Sequence, residues 1–139
     1  MMPELKRISI TIDEKLLNQF DRKIEEQGYP TRSKAVTDLI RESLVNREWE
    51  RGKEIAGAIT LVYNHHKRNL LSKLTDIQHD FSQLIVSSQH VHLDHDNCFE
   101  IVVVKGKSDE VENLAKRLKS TKGVMHSSLV KATTGKEIV

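Results

Sequence analysis

HVHLDHDNCFEIVVVK, residues 90–105, carries the clearest structural pattern in the chain. It reads as the end of a strand, a tight turn and a second strand. Polar and apolar residues alternate up to Leu93, and the run from Cys98 to Lys105 suits a central strand. The strands are expected over 84–93 and 98–105. A three-residue turn, Asp94–His95–Asp96, pairs 93 with 97 and 92 with 98. Side chains alternate along a strand, so this register puts His90, His92 and Cys98 on one face. A two-residue turn would send Cys98 to the opposite face from His92.

The same patterns extend outward. IAGAITLVY, 55–63, reads as a strand, and residues 66–82 as a helix. Beyond the hairpin come a helix over 108–121 and a strand over 124–131, with Gly106 and Gly123 as punctuation. The order is βαββαβ, the split βαβ or ferredoxin-like motif. The last residues, 132–139, read as an exposed tail.

The segment before this unit has its own pattern. In KRISITI, 6–12, Ile8, Ile10 and Ile12 face one way, and Arg7, Ser9 and Thr11 the other. Asp13 caps a helix over 14–27 that carries Leu16, Leu17, Phe20 and Ile24 on one face and ends at Gly28. Thr31 caps a second helix, 32–48, with the stripe Ala35, Val36, Leu39, Ile40 and Leu44. One short strand and two helices bury little core, and the strand has two unpaired edges. A homodimer resolves both problems by pairing two such strands antiparallel and interlocking four helices. The fold class is therefore α+β. A dimeric βαα domain spans 1–48, WERGK at 49–53 is a linker, and a ferredoxin-like domain spans 54–139.

The chain has 139 residues and a formal charge of +2. Residues 1–50 hold 9 Lys+Arg against 10 Asp+Glu, the remainder 13 against 10, so bulk charge gives little support to nucleic-acid binding. DNA contact would need a local arrangement. A two-stranded ribbon fits the major groove, where Arg7 can donate to guanine and Ser9 and Thr11 can touch base edges. The start of the second helix, with Arg32, Ser33 and Lys34, offers backbone N–H groups and cations to phosphate. No apolar run reaches the roughly 20 residues of a transmembrane helix. The N-terminus lacks a signal-peptide pattern, and the single cysteine fits a reducing compartment, so the chain reads as cytoplasmic.

His90, His92 and Cys98 offer two imidazoles and a thiolate to one ion. His79, on the preceding helix, is a candidate fourth ligand, either in cis or across a domain dimer. Mixed nitrogen and sulfur donors suit Zn(II), Cu, Ni or Co.

Residues 6–48 resemble ribbon-helix-helix DNA-binding domains. Residues 1–135 resemble the nickel-responsive transcriptional regulators, which add an ACT-like βαββαβ domain. The carrying stretches are KRISITID, GYPTRSKAVTDLIR, VYNHHKRNL at 62–70, the QH of DIQHDF, and HVHLDHDNCFEIVVVKG at 90–106. The resemblance implies a homotetramer, a dimer of dimers that binds double-stranded operator DNA and represses nickel uptake. No RNA or membrane partner and no enzymatic activity follow from it. It implies one Ni(2+) per chain in a planar site of His90, His92 and Cys98 with His79 of a neighbouring chain. Tyr63, His65 and Glu100 support that site. Arg7, Ser9 and Thr11 read bases, and Lys67 and Arg68 touch the DNA backbone. Family members often carry an acid at the position of Lys34, which with the acid matching Asp38 helps hold a second cation. Here the Lys34 ammonium is expected to replace that cation by pairing with Asp38 one turn on.

Three rivals use the same residues: a small zinc hydrolase with Glu100 as base, an ACT-type regulator answering an amino acid, and the same scaffold sensing cobalt, copper or zinc. Gly57 and Gly106 are the glycines placed to help an amino-acid site.

Overall fold

The computed structural model describes residues 3–139; Met1 and Met2, at the start of the stretch read for a signal peptide, lie outside them. The chain forms α1 (Glu14–Glu26), α2 (Arg32–Glu50), β1 (Glu54–Asn64), α3 (Leu70–Asp80), β2 (Ile85–His92), β3 (Asn97–Lys107), α4 (Ser108–Lys119) and β4 (Val124–Lys131). It divides into two compact units, Met1–Ile40 and Arg41–Val139.

In the first unit the caps are those expected. The Asp13 carboxylate accepts from the backbone N–H groups of Lys15 and Leu16, at 2.9 and 3.2 Å. Gly28 takes φ +78° after α1, and the Tyr29 N–H returns to the Ile24 carbonyl at 2.9 Å. Thr31 Oγ1 accepts from the Lys34 N–H at 3.1 Å and starts α2. The strand expected over 6–12 is not formed in the single chain. A strand needs a ladder partner, and none of the described residues of this unit supplies one. Ile8 is 72 % exposed and Ile10 70 %, with Leu16, Leu39 and Ile40 also exposed. That much uncovered apolar surface marks an unsatisfied interface.

The second unit is a four-stranded antiparallel sheet in the order β2-β3-β1-β4, the ferredoxin-like arrangement. Ile55, Ile59, Leu61 and Tyr63 of β1 and Val102 and Val104 of β3 are buried, with Leu70 and Leu74 of α3 and Val111, Leu114 and Leu118 of α4. Each fully buried aliphatic side chain contributes about 1.5–3 kcal/mol.

Two expectations need correction. Residues 49–53 are not an open connector. The second helix runs on to Glu50, and Trp49 is 4 % exposed. Its ring covers Gly57, where an added Cβ would lie 3.3 Å from the indole and 2.7 Å from the Val130 carbonyl oxygen. The helix expected from 66 begins only at Leu70. Asn64 holds the preceding loop as a side-chain turn, its Oδ1 accepting from the His66 N–H at 2.9 Å, and Asn69 adopts φ +65°, which asparagine tolerates. The tail 132–139 is largely exposed, as expected, yet it is tied down. Trp49 Nε1 donates to the Ala132 carbonyl at 2.9 Å, Thr133 Oγ1 donates to Glu48 at 2.8 Å, and Ile138 packs on the core.

Candidate metal centre

The turn between β2 and β3 is built on Asp94. Its Oδ1 accepts from the backbone N–H groups of Asp96 (2.9 Å) and Asn97 (2.8 Å), and its Oδ2 from Asn97 Nδ2 at 3.1 Å. The Asn97 backbone bond, more than any other, holds the Asp94 carboxyl below its ordinary value. The Leu93 N–H reaches the Asn97 carbonyl at 2.9 Å, and His92 stands opposite Cys98. This is the three-residue-turn register.

Its consequence is chemical. Cys98 Sγ lies 3.4 Å from His92 Nδ1. On the other side of β3, Tyr63 of β1 stands opposite Cys98, and the chain then turns so that His65 Nδ1 lies 3.2 Å from the same sulfur. The His65 N–H donates to the Asp96 carbonyl at 3.1 Å, which ties this loop to the hairpin turn. His65, His92 and Cys98 thus gather donor atoms within 4.8 Å of one another. The sequence places His65 in a supporting role, yet in the single chain it touches the sulfur directly.

His90 sits one step along the face, opposite Glu100. Its Nδ1 is 3.2 Å from Tyr63 Oη and its Nε2 3.2 Å from Glu100 Oε1. Glu100 is 1 % exposed. It accepts from Tyr63 Oη at 2.8 Å and, through Oε2, from Gln78 Nε2 at 2.7 Å. Burial, then the Glu100 hydrogen bond, pushes the Tyr63 phenol well above its usual range, so it remains a donor. Sequence reasoning misses Gln78 because a glutamine on an amphipathic helix carries no signal of its partner. His79, the next residue of α3, is exposed and is not among the donors gathered at Cys98.

The donor set fits a borderline dication: one thiol and two imidazoles, with His90 a short step away. Burial, then the Glu100 and Asp94 carboxylates, push the Cys98 thiol up. His65 is pushed down, chiefly by burial and then by His66 and His92, so its imidazole stays neutral and able to ligate. Ligation must displace the Cys98 proton. Metal affinity is therefore expected to fall as pH drops, by up to about tenfold per unit below the thiol's own value. Competition titrations at three pH values check this, with Cys98→Ala expected to show a shallower dependence.

Two rivals lose their footing. Glu100, the base of the hydrolytic reading, is buried and already engaged by Tyr63 and Gln78. Gly57, offered for an amino-acid site, lies beneath Trp49.

Of the DNA-facing candidates, Arg7, Ser9 and Thr11 are exposed in the segment ahead of α1, and Ser33 is exposed at the start of α2. Arg32 makes a two-point pair with Asp21, at 2.9 and 2.7 Å. Lys34 Nζ is 2.7 Å from Asp38 Oδ1, the pairing expected from the sequence, and Tyr29 Oη donates to the other Asp38 oxygen at 3.0 Å. Lys67 and Arg68 are exposed in the loop before α3. No helix among the described residues is long and apolar enough to cross a membrane.

Comparison with known proteins agrees with both halves of the chain. Residues 56–132 match the family model described as NikR C terminal nickel binding domain, and residues 6–47 match that of the ribbon-helix-helix protein, copG family. Similar curated proteins carry the name "Putative nickel-responsive regulator". That of Syntrophus aciditrophicus is 52 % identical over 92 % of this chain and 93 % of its own. That of Chlorobium limicola is 52 % identical over 96 % and 100 %, and that of Thermococcus onnurineus 49 % identical over 98 % and 99 %. Among solved structures, an uncharacterized protein from Thermotoga maritima matches with a TM-score of 0.51 at 18 % identity, over 57 % of this chain and 98 % of that one, a likeness of fold alone. With both domains matched in order and relatives about half identical from end to end, the chain belongs to the family of nickel-responsive regulators.

Proposed function

We propose that this protein is a cytoplasmic, nickel-responsive, DNA-binding transcriptional regulator that represses nickel uptake. The observation that carries the reading is the hairpin register, which brings Cys98 and His92 together beside His90 and places Tyr63, His65 and Glu100 around them. Cys98, His92 and His90 hold one Ni(II) per chain, with His79 supplied by a second copy. His79 suits that task because it stands on an exposed face of α3, beside the Gln78 that anchors the helix to Glu100. Bound nickel would supply a cross-link between the strands of one copy and the helix of another. The chain's own part is to present a pre-formed thiol–imidazole pair and to keep Glu100 and Tyr63 against His90. Fixing α3 in this way biases one arrangement of the tetramer, and that bias is the coupling free energy felt at the DNA-binding ends.

At those ends the exposed isoleucines of 6–12 support pairing with a second copy, which would leave Arg7, Ser9 and Thr11 outward on a ribbon. The domains run 1–48 and 54–139. Ser33, Lys67 and Arg68 are free to meet phosphate, and Arg32 and Lys34 must share their charge with Asp21 and Asp38. Lys34 stands in for a bound cation. Lys34→Glu would set two carboxylates one turn apart, so DNA affinity should become dependent on added potassium or magnesium. Unchanged affinity and cation dependence would refute the substitution idea.

The test of function is selection of DNA fragments by the full chain with and without Ni(II), followed by affinity measurement on the selected site. Nickel should raise affinity for one sequence at least about fivefold, the low end of ordinary coupling energies. Arg7→Ala should lose the sequence preference and keep the nickel. Equal DNA affinity with and without nickel would overturn the reading.

A further inference from the structure

His79 is the penultimate residue of α3, and both of its chain neighbours are tied down. On one side, Gln78 Nε2 donates to the buried Glu100 carboxylate at 2.7 Å. On the other, Asp80 Oδ2 meets Arg117 Nη1 of α4 at 3.7 Å. The same guanidinium lies over the Phe81 ring, 5.5 Å from its centroid. Phe81 closes α3, its N–H donating to the Gln78 carbonyl at 3.2 Å, and it packs on the core with Ile77.

Arg117 stands on a fixed base. Ser120 and Thr121 follow the end of α4, and their hydroxyls donate back to the Arg117 carbonyl at 3.3 and 2.8 Å. These bonds satisfy a carbonyl that the helix end leaves without an intrahelical partner. Leu114 and Leu118, before and after Arg117, are fully buried, so this end of α4 is locked to the core. The electrostatics of α3 call for a cation here. Asp80 puts a carboxylate in the last turn, where the helix dipole is itself negative, and that arrangement favours fraying. A guanidinium across from it removes the conflict. Being flat and weakly hydrated, it also lies well on an aromatic face.

We propose that Arg117 is a positioning residue for nickel: reaching from α4 to Asp80 and Phe81, it holds the last turn of α3 so that His79 is presented to a second copy. This rests on His79 being the fourth ligand, as proposed above. Arg117 itself touches no metal. It lowers the ordering cost of binding, because a turn already held loses less freedom when the ion arrives. With side chains 47 % and 60 % exposed, the Arg117–Asp80 pair is screened by solvent. At such exposure an ion pair and a cation–π contact are each worth about two- to fivefold in an equilibrium constant, so together they should change nickel affinity about three- to tenfold.

The test is a double-mutant cycle in the full-length chain, with Ni(II) affinity read by competition against a chelator. Arg117→Met keeps an unbranched apolar stem and removes the charge. Alone, it should weaken nickel binding about three- to tenfold, and Arg117→Lys should recover part of that loss. In the His79→Ala background the same change should do nothing, because the residue it positions is gone. Hydrogen exchange of the metal-free chain should quicken at amides 77–81 in Arg117→Met and stay unaltered in β1 and β3. Undiminished nickel affinity in Arg117→Met, or an equal fall with and without His79, would overturn the role of Arg117. A His79→Ala chain that binds nickel as wild type does would instead sink the ligand reading itself, and this proposal with it.

Discussion

Cys98→Ala should remove nickel-dependent DNA binding while the metal-free protein folds as before. The side chain is small and buried, and alanine keeps most of its volume, so the core loses little. The chemistry loses its only sulfur donor, the atom on which both His65 and His92 converge. Removing a group that merely supports a ligand lowers metal affinity about 10–100-fold. Removing the ligand itself should cost more, beyond about 100-fold. Equilibrium competition against a chelator, with circular dichroism of the apo form, separates lost binding from lost fold. A Cys98→Ala chain with wild-type nickel affinity would show that the sulfur is only a core atom.

Trp49→Ala should have the largest effect on stability. The indole is buried at the end of α2, covers Gly57 and donates to the Ala132 carbonyl, so one side chain joins helix, sheet and tail. Aromatic-to-alanine changes in cores cost about 3–5 kcal/mol. The carbonyl of Trp49 also accepts from the buried Ser108 hydroxyl at 2.7 Å, so loosening α2 here exposes a second polar contact. Urea unfolding of the metal-free chain at a fixed concentration reads this, because assembly makes apparent stability concentration-dependent. Trp49→Phe should recover part of the loss. A change under about 1 kcal/mol in Trp49→Ala would mean that the helix end is not anchored as described.

These two residues also show where the sequence is legible. Alternation with a three-residue turn sets Cys98 opposite His92, and the structure has that pairing. The βαββαβ order and the Asp13 and Thr31 caps follow from equally local rules, while the Lys34–Asp38 pair is expected from the resemblance. WERGK reads as a linker from its polar neighbours, whereas burial of its aromatic ring is decided by contacts 83 residues away. The late start of α3 has the same character. Residues 65–69 have no strong helix breaker, but the Asn64 turn and the bond from the His65 N–H to Asp96 hold them in a loop. The closeness of His65 to the sulfur follows from that loop, so no spacing rule could have found it. The strand over 6–12 is a pattern that one chain cannot complete.

In the proposed regulator, a hairpin from one copy and His79 from another hold nickel together. The most direct measurement is an anaerobic Ni(II) titration by electronic absorption of wild type, Cys98→Ala, His79→Ala, and the two variants refolded together. Wild type should take one Ni(II) per chain with a sulfur-to-nickel band, absent in Cys98→Ala and altered in His79→Ala. Random pairing in the mixture should return the wild-type band at about a quarter of the sites, because each mixed pair rebuilds one of its two. A wild-type chain without that band, or a mixture that is only the sum of its parts, would contradict the shared site.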